Sequence, residues 1–160
     1  MTEPVIPEIA VPIDGFEVTR RDVLLVAQLQ STFALCLYDA VEGGGALLHL
    51  RVAPVGRLED PDITDTTLTT DLLLLDRCLS ELRSCEPRAK HPQAKVVGQV
   101  EDTAGARQRF ESVEAFMTAY LADAEVHLVS CHAHFDNVRT LRFRPALGHV
   151  RSELLGDVER

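Results

Sequence analysis

Apolar residues recur along this chain in short blocks whose period shifts midway from strand-like to helix-like and back. Ahead of the first block, Pro4, Pro7 and Pro12 each remove a backbone donor, so residues 1–15 are expected to form an extended N-terminal arm that ends in an Asp14-Gly15 turn. Three short runs follow, at Val23 to Ala27, Phe33 to Tyr38 and Ala46 to Val52, with a glycine turn at Glu42 to Gly45. Their residues suit pleated sheet, and the pattern predicts adjacent antiparallel strands over 22–52. Residues 54–70 are rich in Pro, Asp and Thr and predict a long loop. Leu72, Leu75, Leu79 and Leu82 then share one helical face, with Thr70 as the expected cap and Pro87 as the stop. Lys95 to Val100 predicts a strand. A second helix is expected from about Ser112, with Val113, Phe116, Met117, Tyr120 and Leu121 on its buried stripe. Three closing strands are expected at Glu125 to Cys131, Arg139 to Arg144 and His149 to Leu155, with a turn at Pro145 to Gly148. Strands outnumber helices, which predicts an α+β layered sandwich of mostly antiparallel sheet with two main helices on one side.

At 160 residues the chain accommodates one domain, expected at 16–160, with a substantial core. Its formal net charge of -9 argues against a nucleic-acid binder, which needs Lys and Arg to neutralise phosphates, and against a polybasic membrane patch. The four cysteines, Cys36, Cys78, Cys85 and Cys131, show no CxxC pairing, which fits reduced thiols in a cytoplasm. No basic segment precedes an apolar one at the N-terminus, and every apolar run is far shorter than the roughly 20 residues of a spanning helix, so neither a signal peptide nor membrane insertion is expected.

Cys131-His132-Ala133-His134, with His127 and Asp136 nearby, supplies ligand types suited to zinc. A second spaced ligand pair is missing, and a stretch with incidental histidines accounts for the cluster better, so neither metal nor cofactor is expected. Arg142 and Arg144 share a strand face near Arg139 and can hold a carboxylate partner, although a solvated strand face explains them better. Cys36 reads as a small apolar strand residue.

Several motifs occur in a telling order. Val26-Ala27-Gln28-Leu29-Gln30-Ser31-Thr32 leads into Phe33-Ala34-Leu35-Cys36-Leu37-Tyr38-Asp39, followed by Gly44, Gly45 and His49. Asp71 and Ala94-Lys95-Val96-Val97-Gly98-Gln99 come next, and the ending runs from Val138-Arg139-Thr140-Leu141-Arg142-Phe143-Arg144-Pro145 to Gly148 and Val150. In number, order and spacing these resemble the bacterial chemotaxis protein CheD family over roughly residues 20–155. The resemblance implies a cytoplasmic protein of the chemoreceptor glutamine deamidase type, with receptor tails or the phosphatase CheC as partners. It also implies that Thr32 stands where the family has its catalytic cysteine, that His49 stands at the catalytic histidine, and that Val26 replaces the assisting threonine. Gln28, Gln30 and Gln99 stand at glycine positions of that pattern, and His134 and Phe135 at its final glycine pair.

Amide deamidation by this route needs a nucleophile, a histidine to activate it and donors for the oxyanion. A threonine hydroxyl is a far weaker nucleophile than a thiolate. The expectation is therefore a CheD-like protein impaired or inactive as an enzyme that acts by binding chemoreceptors or other chemotaxis proteins. Two alternatives stand beside it: an active deamidase using His49 with Thr32 or another nucleophile, and a scaffold whose role lies outside chemotaxis.

Overall fold

A computed structural model describes residues 5–39, 41–52, 66–85, 87–88 and 92–155. The elements run β1 (Glu8–Ala10), β2 (Gly15–Thr19), β3 (Leu24–Leu29), β4 (Thr32–Tyr38), β5 (Gly45–Arg51), α1 (Thr66–Cys85), β6 (Gln93–Gln99), α2 (Ala104–Asp123), β7 (His127–His134), β8 (Arg139–Arg144) and β9 (His149–Leu154). They form two sheets, one ordered β1-β3-β8-β9 and the other β2-β5-β4-β6-β7. The β1–β3 and β6–β7 pairs are parallel and the rest antiparallel. The architecture is the expected α+β layered sandwich.

The three layers follow from which faces are apolar. All seven residues of β4 are buried, because this strand is covered on both sides. Its Phe33, Leu35 and Leu37 join Leu48, Leu50 and Val96 against Leu75, Leu79 and Leu82 of α1 and Phe110, Val113, Met117 and Leu121 of α2. Its Ala34, Cys36 and Tyr38 face the four-stranded sheet, where Leu25, Ala27, Leu29, Leu141 and Phe143 complete a second core. Each core side chain removed from water contributes roughly 1.5–3 kcal/mol, and two such clusters justify a three-layer arrangement.

Several sequence expectations are corrected. The strands within 22–52 are not all neighbours, since β3 lies in the four-stranded sheet whereas β4 and β5 pair in the other. The chain changes sheet at Ser31, which takes a left-handed φ of 54°. Residues 8–10 of the arm form β1, and Gly15–Thr19, where the pattern predicts a turn and no strand, form β2. Helix α1 begins at Thr66, so Thr70 lies inside it rather than capping it; residues 54–65 of the expected loop lie outside the described residues. Helix α2 begins at Ala104, not near Ser112, because the side chain of Thr103 accepts a hydrogen bond from the Ala106 N–H and caps it. On α2, Phe116 and Tyr120 are half-buried and stack on each other. Of the three closing strands, β7 joins β6 in the five-stranded sheet, whereas β8 and β9 close the other.

Candidate functional site

Thr32 opens β4 and His49 lies near the end of β5. The β4–β5 register pairs Ala34 with His49 and Thr32 with Arg51, so His49 sits diagonally across from Thr32 on the face toward the four-stranded sheet. The sequence separation of the two therefore closes to a direct contact, with Thr32 Oγ1 2.8 Å from His49 Nε2. Both are buried, at 1% and 2% exposure. His49 Nδ1 is 3.0 Å from the carbonyl oxygen of Val11. A carbonyl only accepts, so Nδ1 carries the hydrogen, Nε2 presents its lone pair, and the Thr32 hydroxyl donates to it. The same hydroxyl oxygen accepts from the Gln30 N–H at 3.2 Å.

Burial holds the His49 pKa below the ordinary histidine value, opposed by the Val11 hydrogen bond and the charge of Asp14. The imidazole is thus neutral near pH 7, the form that can take a proton. Thr32, His49 and Val11 together make a hydroxyl–imidazole–carbonyl relay, a base held by a third group in the manner of nucleophilic sites.

Strand β6 places Gln99 beside Thr32. Thr32 and Gln99 are cross-strand partners. Gln99 is 4% exposed, and its Oε1 accepts from the Ser31 N–H at 2.9 Å, while its Nε2 donates to the carbonyls of Asp136 at 2.7 Å and Val100 at 3.2 Å. Thus the backbone donor immediately before Thr32 already holds a carboxamide oxygen. Gln28 and Gln30 are exposed, and the left-handed conformation of this turn falls on Ser31 instead. A cleft of about 520 Å³ opens beside His49, walled by Val11, Pro12, Ile13, Val26, Gln28 and Gln30. Val26 contributes through its carbonyl, which accepts from the Val11 N–H at 2.8 Å. A larger hollow of about 680 Å³ lies between the helices, around Asp76, Arg83 and Tyr120, on the other side of the five-stranded sheet.

The remaining candidates separate from this site. Cys36 is fully buried in the inter-sheet core, and burial pushes its thiol far up. His132 and His134 lie in strand β7 with ring centroids 5.2 Å apart. His134 Nε2 is engaged with Ser152 Oγ at 3.1 Å, and the Asp136 carboxylate is held by Arg139 at 2.7 Å. Among the described residues, no group of three or more His, Cys, Asp or Glu side chains is placed to hold a metal ion. Arg142 and Arg144 pair with Glu8 at 3.2 Å and Asp22 at 2.7 Å of their own chain. Sequence reasoning missed Val11 and gave Gln99 only as a lost glycine. Neither bears a recognisable signal, because each acts through a tertiary pairing.

No protein-family model matches the chain. Over 142 residues, 89% of its length, it is 27% identical to a probable chemoreceptor glutamine deamidase CheD of Agrobacterium fabrum, and the match spans 76% of that protein. No helix among the described residues is long and apolar enough to cross a membrane. The likeness extends over both sheets and both helices, and it supports a CheD-like chain with a chemotaxis-related function.

Proposed function

We propose that this chain is a cytoplasmic CheD-like chemotaxis protein that works by binding chemoreceptor cytoplasmic regions, or a CheC-like protein, rather than by turnover. One observation carries the reading: the hydroxyl at the expected nucleophile position is 1% exposed, and the adjacent Ser31 N–H is occupied by Gln99 at 2.9 Å. Deamidation requires a nucleophile that reaches the carboxamide carbon and a free donor for its oxygen. Here the first is enclosed and the second is engaged. The experiment is mass spectrometry of receptor glutamine peptides after incubation with wild type, Thr32→Cys and Thr32→Cys/Gln99→Gly, beside a pull-down with a receptor cytoplasmic fragment. Wild type is expected to bind the fragment and leave Gln intact, with conversion to Glu confined to the double variant. Conversion by wild type that His49→Ala abolishes overturns the reading.

A second reading, an active deamidase in which Thr32 attacks with His49 as base, draws on the 2.8 Å contact and the neutral imidazole. In that case the hydroxyl proton passes to Nε2 and then to the departing ammonia, leaving an ester on Thr32 for water to hydrolyse. Absence of both binding and turnover favours the third, a scaffold used outside chemotaxis.

A further inference from the structure

The N-terminal segment does more than extend the sheet. Val11 follows β1 and is fixed on three sides. Its N–H donates to Val26 at 2.8 Å, its side chain is 4% exposed within the inter-sheet core, and its carbonyl receives His49 Nδ1–H at 3.0 Å. Upstream, the Leu24 N–H donates to the Pro7 carbonyl at 2.8 Å, and Glu8 reaches across the sheet to Arg142. Downstream, the Asp14 N–H donates to the His49 carbonyl at 2.8 Å. The segment from Pro7 to Asp14 therefore passes from the edge of one sheet to the other and touches His49 by both backbone and ring.

We propose that Val11 is the positioning residue of the Thr32–His49 pair, and that β1 is the strap that holds its carbonyl against the imidazole. An imidazole has two nitrogens, and the bond made by one decides the state of the other. Without an acceptor at Nδ1, the ring is free to place its hydrogen on Nε2. That nitrogen would then face the Thr32 hydroxyl as a donor, and the hydroxyl could no longer donate to it. Val11 thus occupies the role that a carboxylate fills in many nucleophilic sites, and it reaches that role only because the strap is docked. The assignment concerns the state of the pair and holds whether or not the pair turns over a substrate.

The test reads the histidine tautomer directly. Nitrogen-15 NMR of the imidazole of His49, assigned through His49→Gln, is recorded near neutral pH for wild type, Glu8→Arg and Val11→Pro. Glu8→Arg places two cations together at the strap, and Val11→Pro removes the N–H bound by Val26. Wild type is expected to show a single tautomer protonated at Nδ1. Each variant is expected to shift the ring toward the Nε2-protonated form, and Glu8→Arg/Arg142→Glu is expected to restore the wild-type signal. A wild-type ring protonated at Nε2 overturns the proposal, as does a tautomer unchanged in both single variants. A receptor pull-down run on the same samples separates this result from the binding reading.

Discussion

Thr32→Val keeps the shape of the side chain and deletes one oxygen. That oxygen makes two hydrogen bonds, to His49 Nε2 at 2.8 Å and from the Gln30 N–H at 3.2 Å. Gln30 is exposed, so its amide can turn to water at little cost. His49 is 2% exposed and its Nε2 has no such recourse. An orphaned buried acceptor costs about 1–3 kcal/mol, so Thr32→Val is expected to lose about that much, with Tm falling by about 2–4 °C per kcal/mol in a chain of this size. Urea unfolding followed by circular dichroism measures it, with the slope checked for constancy. Thr32→Ser retains the hydroxyl and is expected to lie within about 1 kcal/mol of wild type. A double-mutant cycle with His49→Phe is expected to return a coupling of about 0.5–3 kcal/mol. Equal stability of Thr32→Val and wild type, with zero coupling to His49, refutes the buried relay.

The pH dependence follows from the direction of the His49 shift. Its folded pKa lies below the unfolded value, so the unfolded chain binds the proton first; the stability is fully present above about pH 6.5 and declines as pH falls through the folded value. His134 is shifted the same way, chiefly by burial and also by Arg139 and His132, so the slope of unfolding free energy between pH 7 and 5 is expected to flatten partly in His49→Gln and further in His49→Gln/His134→Ser. Gly98→Ala sets a methyl against the ring of Phe110; it is expected to cost about 1–3 kcal/mol in urea unfolding, and Phe110→Leu in the same chain is expected to recover part of it. Cys36 and Cys78 are buried, and burial pushes the Cys78 thiol up to about 12, so a thiol reagent is expected to label neither in the native protein and all four cysteines in urea.

Much of the layering is legible because β4 and β5 are apolar blocks of strand length, Leu141 and Phe143 alternate with polar residues along β8, and the α1 leucines repeat at helical spacing. The assignment of strands to sheets is not. Leu29 and Thr32 are separated by two residues, the ordinary signal of a hairpin, yet the left-handed Ser31 passes the chain into the other sheet. β1 and β2 escaped notice because they are short, bordered by Pro7 and Pro12, and none of their side chains except Thr19 is fully buried. The start of α2 was hidden by Gly105 and the charged turns after it, where the cap at Thr103 outweighs weak propensity. In the site, Thr32, His49 and Val26 were nominated by resemblance. The role of Val11 depends on the β1–β3 pairing, and that of Gln99 on the β4–β6 register, so neither can be read before the sheets are assembled.

A working nucleophilic site keeps groups unsatisfied on purpose: an accessible attacking atom and an N–H awaiting an oxygen. At this end of the sandwich Thr32 is 1% exposed and the Ser31 N–H is engaged. Among the described residues no buried side-chain polar atom lacks a partner, and the Gln99 carboxamide holds the Ser31 N–H beside Thr32. Its Oε1 gives the Ser31 N–H the kind of oxygen that a bound carboxamide would bring. Gln99→Gly is therefore expected to lower the urea midpoint of both wild type and Thr32→Cys, through three lost hydrogen bonds and an emptied site, while increasing the alkylation rate of the new cysteine. If Gln99→Gly left both midpoints unchanged and the cysteine remained as slow to react, the carboxamide would not be what closes this site.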